Sequence, residues 1–304
     1  MKFDSIIIIG ATATGKTAFS VSLAKALNGE IINADSQQIY KNLNIGTAKI
    51  TPQEMQGINH HLFDLIDVGQ DFSVSDFKHL AINTINQLKA QNKLPIIVGG
   101  TGFYVESLLY DLEFGNIQKD ESLRSYYVQL AKDNGNKYVY NILKELDIKS
   151  AEKLHPNDLN RVIRAIEIAK LSNTKKSQQI KKDAKILNPL IIELYMDRAV
   201  LYEKINLRVD IMLKNGLLKE VQWLNNNGFF GKKISLPIGY SEWKLYLNGE
   251  KTQQEVIDLI KQHSRNYAKR QITWFKRYNA ILKFDLTNTN ISVAVDNVVK
   301  KFNN

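Results

Sequence analysis

The opening third of the chain alternates short apolar runs with longer amphipathic ones. Ile6–Ile9 is an unbroken β-branched run, the pattern of a strand covered on both faces. A glycine loop follows, and then a helical pattern from Thr17 to about Leu27. Glu30–Ala34 reads as a second strand ending at Asp35. Residues 75–91 predict a helix with Ser75 as N-cap, because Phe77, Leu80, Ala81, Ile85 and Leu88 fall on one face. Leu94–Val98 is a third buried strand, running into Gly99-Gly100-Thr101-Gly102, and a further helix is expected over 103–110. Strand–helix alternation of this kind predicts an α/β class: a mostly parallel sheet core flanked by helices.

From about 115 to 187 strand signals vanish. Leu123–Ala131, Val139–Leu146 and Asn160–Leu171 look helical, and Ser172–Lys185 is polar and basic. The region reads as an inserted all-helical subdomain, 115–187, within a core made of 1–114 and 188–304. Pro189–Tyr195 returns to the sheet, and residues 200–226, 252–280 and 291–302 are expected to be helical.

Charge sharpens this division. Residues 1–112 carry eight Lys/Arg against ten Asp/Glu, whereas 113–304 carry 33 against 21. The asymmetry suggests a polyanionic partner such as nucleic acid, with a lysine-rich solvated surface as the plain alternative. No apolar run approaches the roughly 18 residues that cross a bilayer, so no membrane partner is expected. The chain has no cysteine, which removes disulfides and thiolate metal sites and fits a cytoplasmic setting.

The candidate chemistry begins at Gly10-Ala11-Thr12-Ala13-Thr14-Gly15-Lys16-Thr17, a match to G-x-x-x-x-G-K-[ST] between a strand and a helix. Such a loop turns successive N–H groups toward one phosphate, and the helix behind it adds its positive end. Lys16 supplies a mobile charge, and the Thr17 hydroxyl suits Mg²⁺. The core is therefore expected to be P-loop NTPase-like. No Asn-Lys-x-Asp guanine reader is present, and the strand at 94–98 ends in glycines rather than an acid. The strand-end carboxylate is Asp35, suited to a general base or a metal-shell ligand; alternatively, Asp35 or Ser36 caps the next helix. His60 and His61 are adjacent, lack helical metal-pair spacing, and read as structural.

Asp35-Ser36-Gln37-Gln38-Ile39-Tyr40, Asn44-Ile45-Gly46-Thr47-Ala48-Lys49 and Val98-Gly99-Gly100-Thr101-Gly102-Phe103-Tyr104 resemble blocks of the tRNA dimethylallyltransferase family. So do His155-Pro156-Asn157-Asp158 with Arg161 and Arg164, Arg208, Gly239-Tyr240, and Ala268-Lys269-Arg270-Gln271-Ile272-Thr273-Trp274. The blocks run in family order from residue 10 to about 275. The resemblance implies transfer of a dimethylallyl group from dimethylallyl diphosphate to N6 of the adenosine at tRNA position 37, with Mg²⁺ as cofactor. It implies Asp35 as base, Lys16, Thr17 and Arg208 on the diphosphate, and Thr101 on the adenosine. Arg208 could instead pair with Asp210 or Glu203 on its own helix. Contacts to the anticodon stem-loop are implied for Asp35, Ser36, Gln37, Gln38 and Thr101. The same holds for Arg124 and for Leu159, Asn160, Arg161, Val162, Ile163 and Arg164. A monomer is expected.

Residues 261–283 carry seven Lys/Arg and no acid. Helical spacing puts Lys261, Arg265, Lys269 and Lys276 on one face, with Ile260, Tyr267, Trp274 and Tyr278 opposite. A phosphate-facing helix fits this, as does a solvated amphipathic one, and Trp274 is expected in the core. Two departures stand out. Leu236-Pro237-Ile238-Gly239-Tyr240-Ser241-Glu242 lacks the family's flanking basic residues, and Ala11 replaces the usual proline. From the residues alone, a small-molecule or nucleotide kinase is the alternative, with Arg161 and Arg164 imitating a lid.

Overall fold

The computed structural model describes residues 3–112, 120–171, 180–232, 234, 236–278, 280 and 282–304. The chain divides into two compact units, 1–109 with 187–304, and 110–186.

The first unit begins with β1 (Ser5–Ile9), α1 (Lys16–Ala26), β2 (Gly29–Asn33), α2 (Pro52–Met55), β3 (His60–His61), α3 (Val74–Ala90), β4 (Leu94–Val98) and α4 (Gly102–Leu109). The second unit holds β5 (Tyr110–Leu112), α5 (Glu121–Asn134), α6 (Asn136–Leu146), α7 (Ile148–Ala151), α8 (Leu159–Leu171) and β6 (Ile180–Lys185). The chain then returns to the first unit through β7 (Pro189–Tyr195), α9 (Arg198–Lys214), α10 (Leu217–Asn226), α11 (Trp243–Leu247), α12 (Gln253–Phe275), β8 (Leu282–Asp285) and α13 (Ile291–Asn303).

The sheet runs β3-β2-β4-β1-β7-β8, and every pairing in it is parallel. Strand β1 lies between β4 and β7, so Ile6–Ile9 are shielded on both sides and fully buried. Ile6 and Ile8 join Phe19 and Leu23 of α1 and Ala294, Val298 and Phe302 of α13 in one core. A second core gathers Leu43, Val209, Leu217, Val221, Tyr240 and Trp243 with Val256 and Ile260 of α12.

Helix α3 starts earlier than its hydrophobic spacing indicates. Ser73, not Ser75, is the N-cap, in a reciprocal capping box with Asp76. The histidine pair is structural as expected: it forms β3, and His61 Nε2 meets Glu30 at 2.7 Å.

The expectation of an all-helical insertion needs correction. Beside α5, α6, α7 and α8, the second unit carries an antiparallel ribbon of β5 and β6. Its second strand, IKKDAK, has no apolar alternation, so it reads as a loop. Residues 172–179, within the basic stretch, lie outside the described residues. The helices enclose a core of Tyr127, Val139, Leu143, Val162, Ile163 and Ile166.

Candidate functional site

In an open α/β sheet, ligands bind beyond the carboxyl ends of the strands. Three loops gather there, following β1, β2 and β4. The first is the P-loop. Gly15 sits at φ 88°, where a side chain would be strained, directly ahead of α1. Ala13 accepts φ 64° without glycine's freedom, local strain of the kind stored at functional sites. Thr14 Oγ1 closes the loop onto the Ala11 carbonyl at 2.8 Å. No side chain caps α1, so its first N–H groups remain open to an anion.

Lys16 Nζ donates to the carbonyls of Gly10 at 2.9 Å and Ala11 at 2.6 Å. Burial pushes its pKa down to about 7, with Asp35 opposing that shift and Arg208 adding to it. Arg208, from α9, donates from Nη1 to Thr12 Oγ1 at 3.2 Å. Burial lowers its pKa while Asp35 and Glu54 oppose. Of its two expected rivals, Asp210 is taken by Lys261 at 2.7 Å.

The second loop carries Asp35. Its Oδ1 accepts from the Gln37 amide at 2.9 Å, so it does cap a local turn. Burial raises its pKa, against the Gln37 amide, Lys16 and Arg208. The third loop places Thr101 Oγ1 where it accepts from the Ser36 amide at 2.9 Å and lies 3.2 Å from Ser36 Oγ.

Two cavities of about 520 Å³ each flank these loops. Thr12, Ala13, Gly15, Lys16 and Thr17 line the phosphate-side cavity, while Gly10, Ala11 and Thr14 are buried behind it and shape the loop. Ser36, Gln37, Thr101, Phe103, Tyr267 and Trp274 line the other, with an apolar wall from Ile205, Val209 and Ile260. Thr12, Asp35, Gly100, Arg208, Met212 and Gln271 belong to both. An anion in the cradle would thus face a second pocket across a carboxylate with a raised pKa.

Gln38 lines the phosphate-side cavity and donates to the Thr47 and Ala48 carbonyls, each at 3.1 Å. Trp274 is only half-buried, against the expectation of a core position, and Arg277 lies 4.3 Å over its ring. Lys269 on α12 and Lys276 just past its end are exposed, whereas Lys261 meets Asp210 and Arg265 donates to Asn206 at 2.6 Å. In the second unit Val162 and Ile163 are buried in its core, which removes their side chains as RNA contacts. Leu159 is half-buried against that core, while Asn160 and Arg161 are exposed, Arg161 with Asp158 at 3.3 Å. Arg124 Nη2 and Arg164 both grip the buried Glu167, Arg124 at 2.8 Å. That pairing gives both arginines a structural task.

Sequence reading missed Glu220, which anchors the loop over the phosphate-side cavity. Its carboxylate accepts from the amides of Asn44 at 2.9 Å, Ile45 at 2.9 Å and Gly46 at 3.3 Å, and from the Tyr240 hydroxyl. Nothing in the sequence links residues so far apart. Glu220→Ala is expected to cost about 1–3 kcal/mol and to weaken the binding of an anion in the cradle, because Asn44, Ile45, Ala48 and Lys49 line that cavity. Chemical denaturation and calorimetry check this; an unchanged unfolding midpoint would exclude the anchor.

The family model described as IPP transferase matches residues 38–278. A tRNA dimethylallyltransferase of Acetivibrio thermocellus is 46% identical over 278 residues, covering 90% of this chain and 88% of its own. The crystal structure of the full-length tRNA isopentenylpyrophosphate transferase of Bacillus halodurans superposes with a TM-score of 0.72 at 39% identity, covering 98% of this chain and 95% of that one. A eukaryotic dimethylallyltransferase, captured acting on tRNA, reaches a TM-score of 0.81 at 29% identity over 98% of this chain and 79% of its own. With such matches along most of its length, the chain belongs to the IPP transferase family.

Proposed function

We propose that this protein transfers a dimethylallyl group from dimethylallyl diphosphate to N6 of the adenosine at position 37 of tRNA, releasing diphosphate. The observation that carries the reading is the meeting of two cavities at Asp35, one lined by a phosphate cradle and one by polar, aromatic and apolar groups. The N6 lone pair attacks the allylic C1, the C1–O bond breaks with its electron pair passing to the diphosphate, and the N6 proton passes to Asp35. P-loop amides, Lys16 and Arg208 hold the charge that develops on the leaving diphosphate.

Among the described residues no group of three His, Asp or Glu could hold a metal by itself. The exposed Thr17 hydroxyl, with Asp35 on the same cavity, fits Mg²⁺ that takes most of its ligands from diphosphate and water. Bound there, Mg²⁺ would neutralise charge on the departing diphosphate.

The adenosine leaves its stack in the anticodon loop to enter the second cavity. Ser36, Gln37 and Thr101, which line that cavity, would receive it; in the second unit, taken by itself, Asn160 and Arg161 are exposed and are the residues we assign to RNA. On α12 and the turn that ends it, Lys269, Arg270, Lys276 and Arg277 are exposed, and the two arginines lie over Tyr267 and Trp274 at 5.6 and 4.3 Å. Replacing Lys269 and Lys276 by Ala is expected to lower the slope of log affinity against log salt by about 0.7–0.9 per lost phosphate contact. A slope equal to the wild type's would take α12 out of the interface. No helix among the described residues is long and apolar enough to cross a membrane.

The direct test incubates the protein with unmodified tRNA, Mg²⁺ and dimethylallyl diphosphate, followed by nucleoside mass analysis. The expected product is adenosine heavier by one C5H8 unit. Unchanged adenosine, with phosphate transferred from ATP to a small acceptor in parallel, would replace this reading with a kinase.

A further inference from the structure

Gln271 of α12 is 4% exposed and lies where the two cavities join. Its Oε1 accepts from the Thr12 amide of the P-loop at 2.8 Å, and its Nε2 donates to the Gly100 carbonyl at 3.0 Å. Tyr267, one turn earlier on α12, lines the second cavity together with Thr101 and Gln271. A Cβ at position 100 would stand 2.1 Å from Gln271 Nε2, so only glycine admits this approach. An amide suits the position because it accepts at one end and donates at the other; neither a carboxylate nor an ammonium does both.

We infer that Gln271 is a positioning residue that couples the two substrate sites, so that diphosphate and RNA each strengthen the binding of the other. The inference rests on the function proposed above. One rigid group fastens the loop that cradles diphosphate to the loop that bears Thr101. Whichever ligand arrives first fixes its own loop and, through the amide, the opposite one. The second ligand then meets a site whose ordering cost has already been met. The coupling is reciprocal by linkage. It also serves the chemistry, since C1 and N6 must be held in register across Asp35.

The test titrates inorganic diphosphate with Mg²⁺ into the protein, with and without a saturating anticodon stem-loop RNA that is unmodified. In the wild type RNA is expected to raise diphosphate affinity about tenfold, within the usual range of coupling between sites. In Gln271→Met, which keeps side-chain volume, the ratio is expected to fall to about one, whatever the change in each separate affinity. If that variant does not fold, Gln271→Glu keeps the acceptor for Thr12 and loses the donor to Gly100, and the same loss of coupling is expected. A wild-type ratio of one, or a wild-type ratio retained in the variant, overturns the coupling. A wild type that prenylates tRNA yet shows either result leaves the proposed function standing; one that modifies no tRNA removes both.

Discussion

Asp35→Asn is expected to lower kcat by about 10²–10⁴-fold while leaving the affinities for diphosphate and tRNA nearly unchanged. The asparagine keeps the oxygen that accepts from the Gln37 amide at 2.9 Å, so the loop that carries Ser36 and Gln37 holds its shape. In the proposed mechanism, what it loses is the capacity to take a proton from N6. The exocyclic amine of adenine is a weak nucleophile, and its attack stalls unless that proton has somewhere to go. Burial raises the Asp35 pKa, and Lys16 and Arg208 only partly offset it. The carboxylate must be ionised to act, so wild-type kcat should fall as pH drops through a value above the ordinary Asp range near 4. That limb should be absent in the variant. Equal losses in turnover and tRNA affinity would make Asp35 an RNA contact instead of a base.

Lys16→Met should lower kcat by about 10²–10³-fold, the usual effect of removing one group aimed at developing charge. It carries a second, independent signature. In the free protein burial pushes the Lys16 pKa down to about 7. Arrival of a diphosphate beside it favours the charged form and raises that value. At pH 8 the free protein has mostly lost this proton, so binding should take up about one proton. Diphosphate affinity should therefore fall as pH rises above 7. Calorimetry in buffers of different ionisation enthalpy reads the uptake directly. In Lys16→Met the uptake should vanish; uptake equal to the wild type's would assign the proton to another group.

Much of the fold and of the phosphate cradle is written in local order along the sequence. Ile6–Ile9, the P-loop and α1 are contiguous, and their periodicity and glycine spacing reflect the same backbone requirements that build the cradle. Leu94–Val98 was legible as a strand for the same reason. Elements set by tertiary pairing were not legible. Strands β3 and β6 lack an apolar alternation, and β8 is four residues long. Ser75 looked like a cap because hydrophobic spacing starts beside it, whereas Asp76, placed three residues after Ser73, decides the box.

The site divides in the same way. Lys16, Thr17 and Asp35 announce themselves through motif and strand-end position. Arg208 is visible only through family resemblance, because nothing local tells an arginine on α9 which loop it meets. Gln271 lies inside a recognisable block, yet its two partners are 259 and 171 residues away. Glu220 carries no local signal at all. Arg124 and Arg164 hide a pairing of the same kind: nothing local shows that both clamp the buried Glu167.

In the proposed reaction the P-loop holds a leaving group, so that the bond broken lies between carbon and oxygen. Dimethylallyl diphosphate labelled with ¹⁸O at the oxygen bridging C1 and phosphorus tests it most directly, with tRNA as acceptor. Mass analysis of the products should find the label wholly in the released diphosphate and none in the modified nucleoside. Label retained on the prenyl fragment, with phosphate appearing on an acceptor, would mean cleavage at phosphorus and would contradict it.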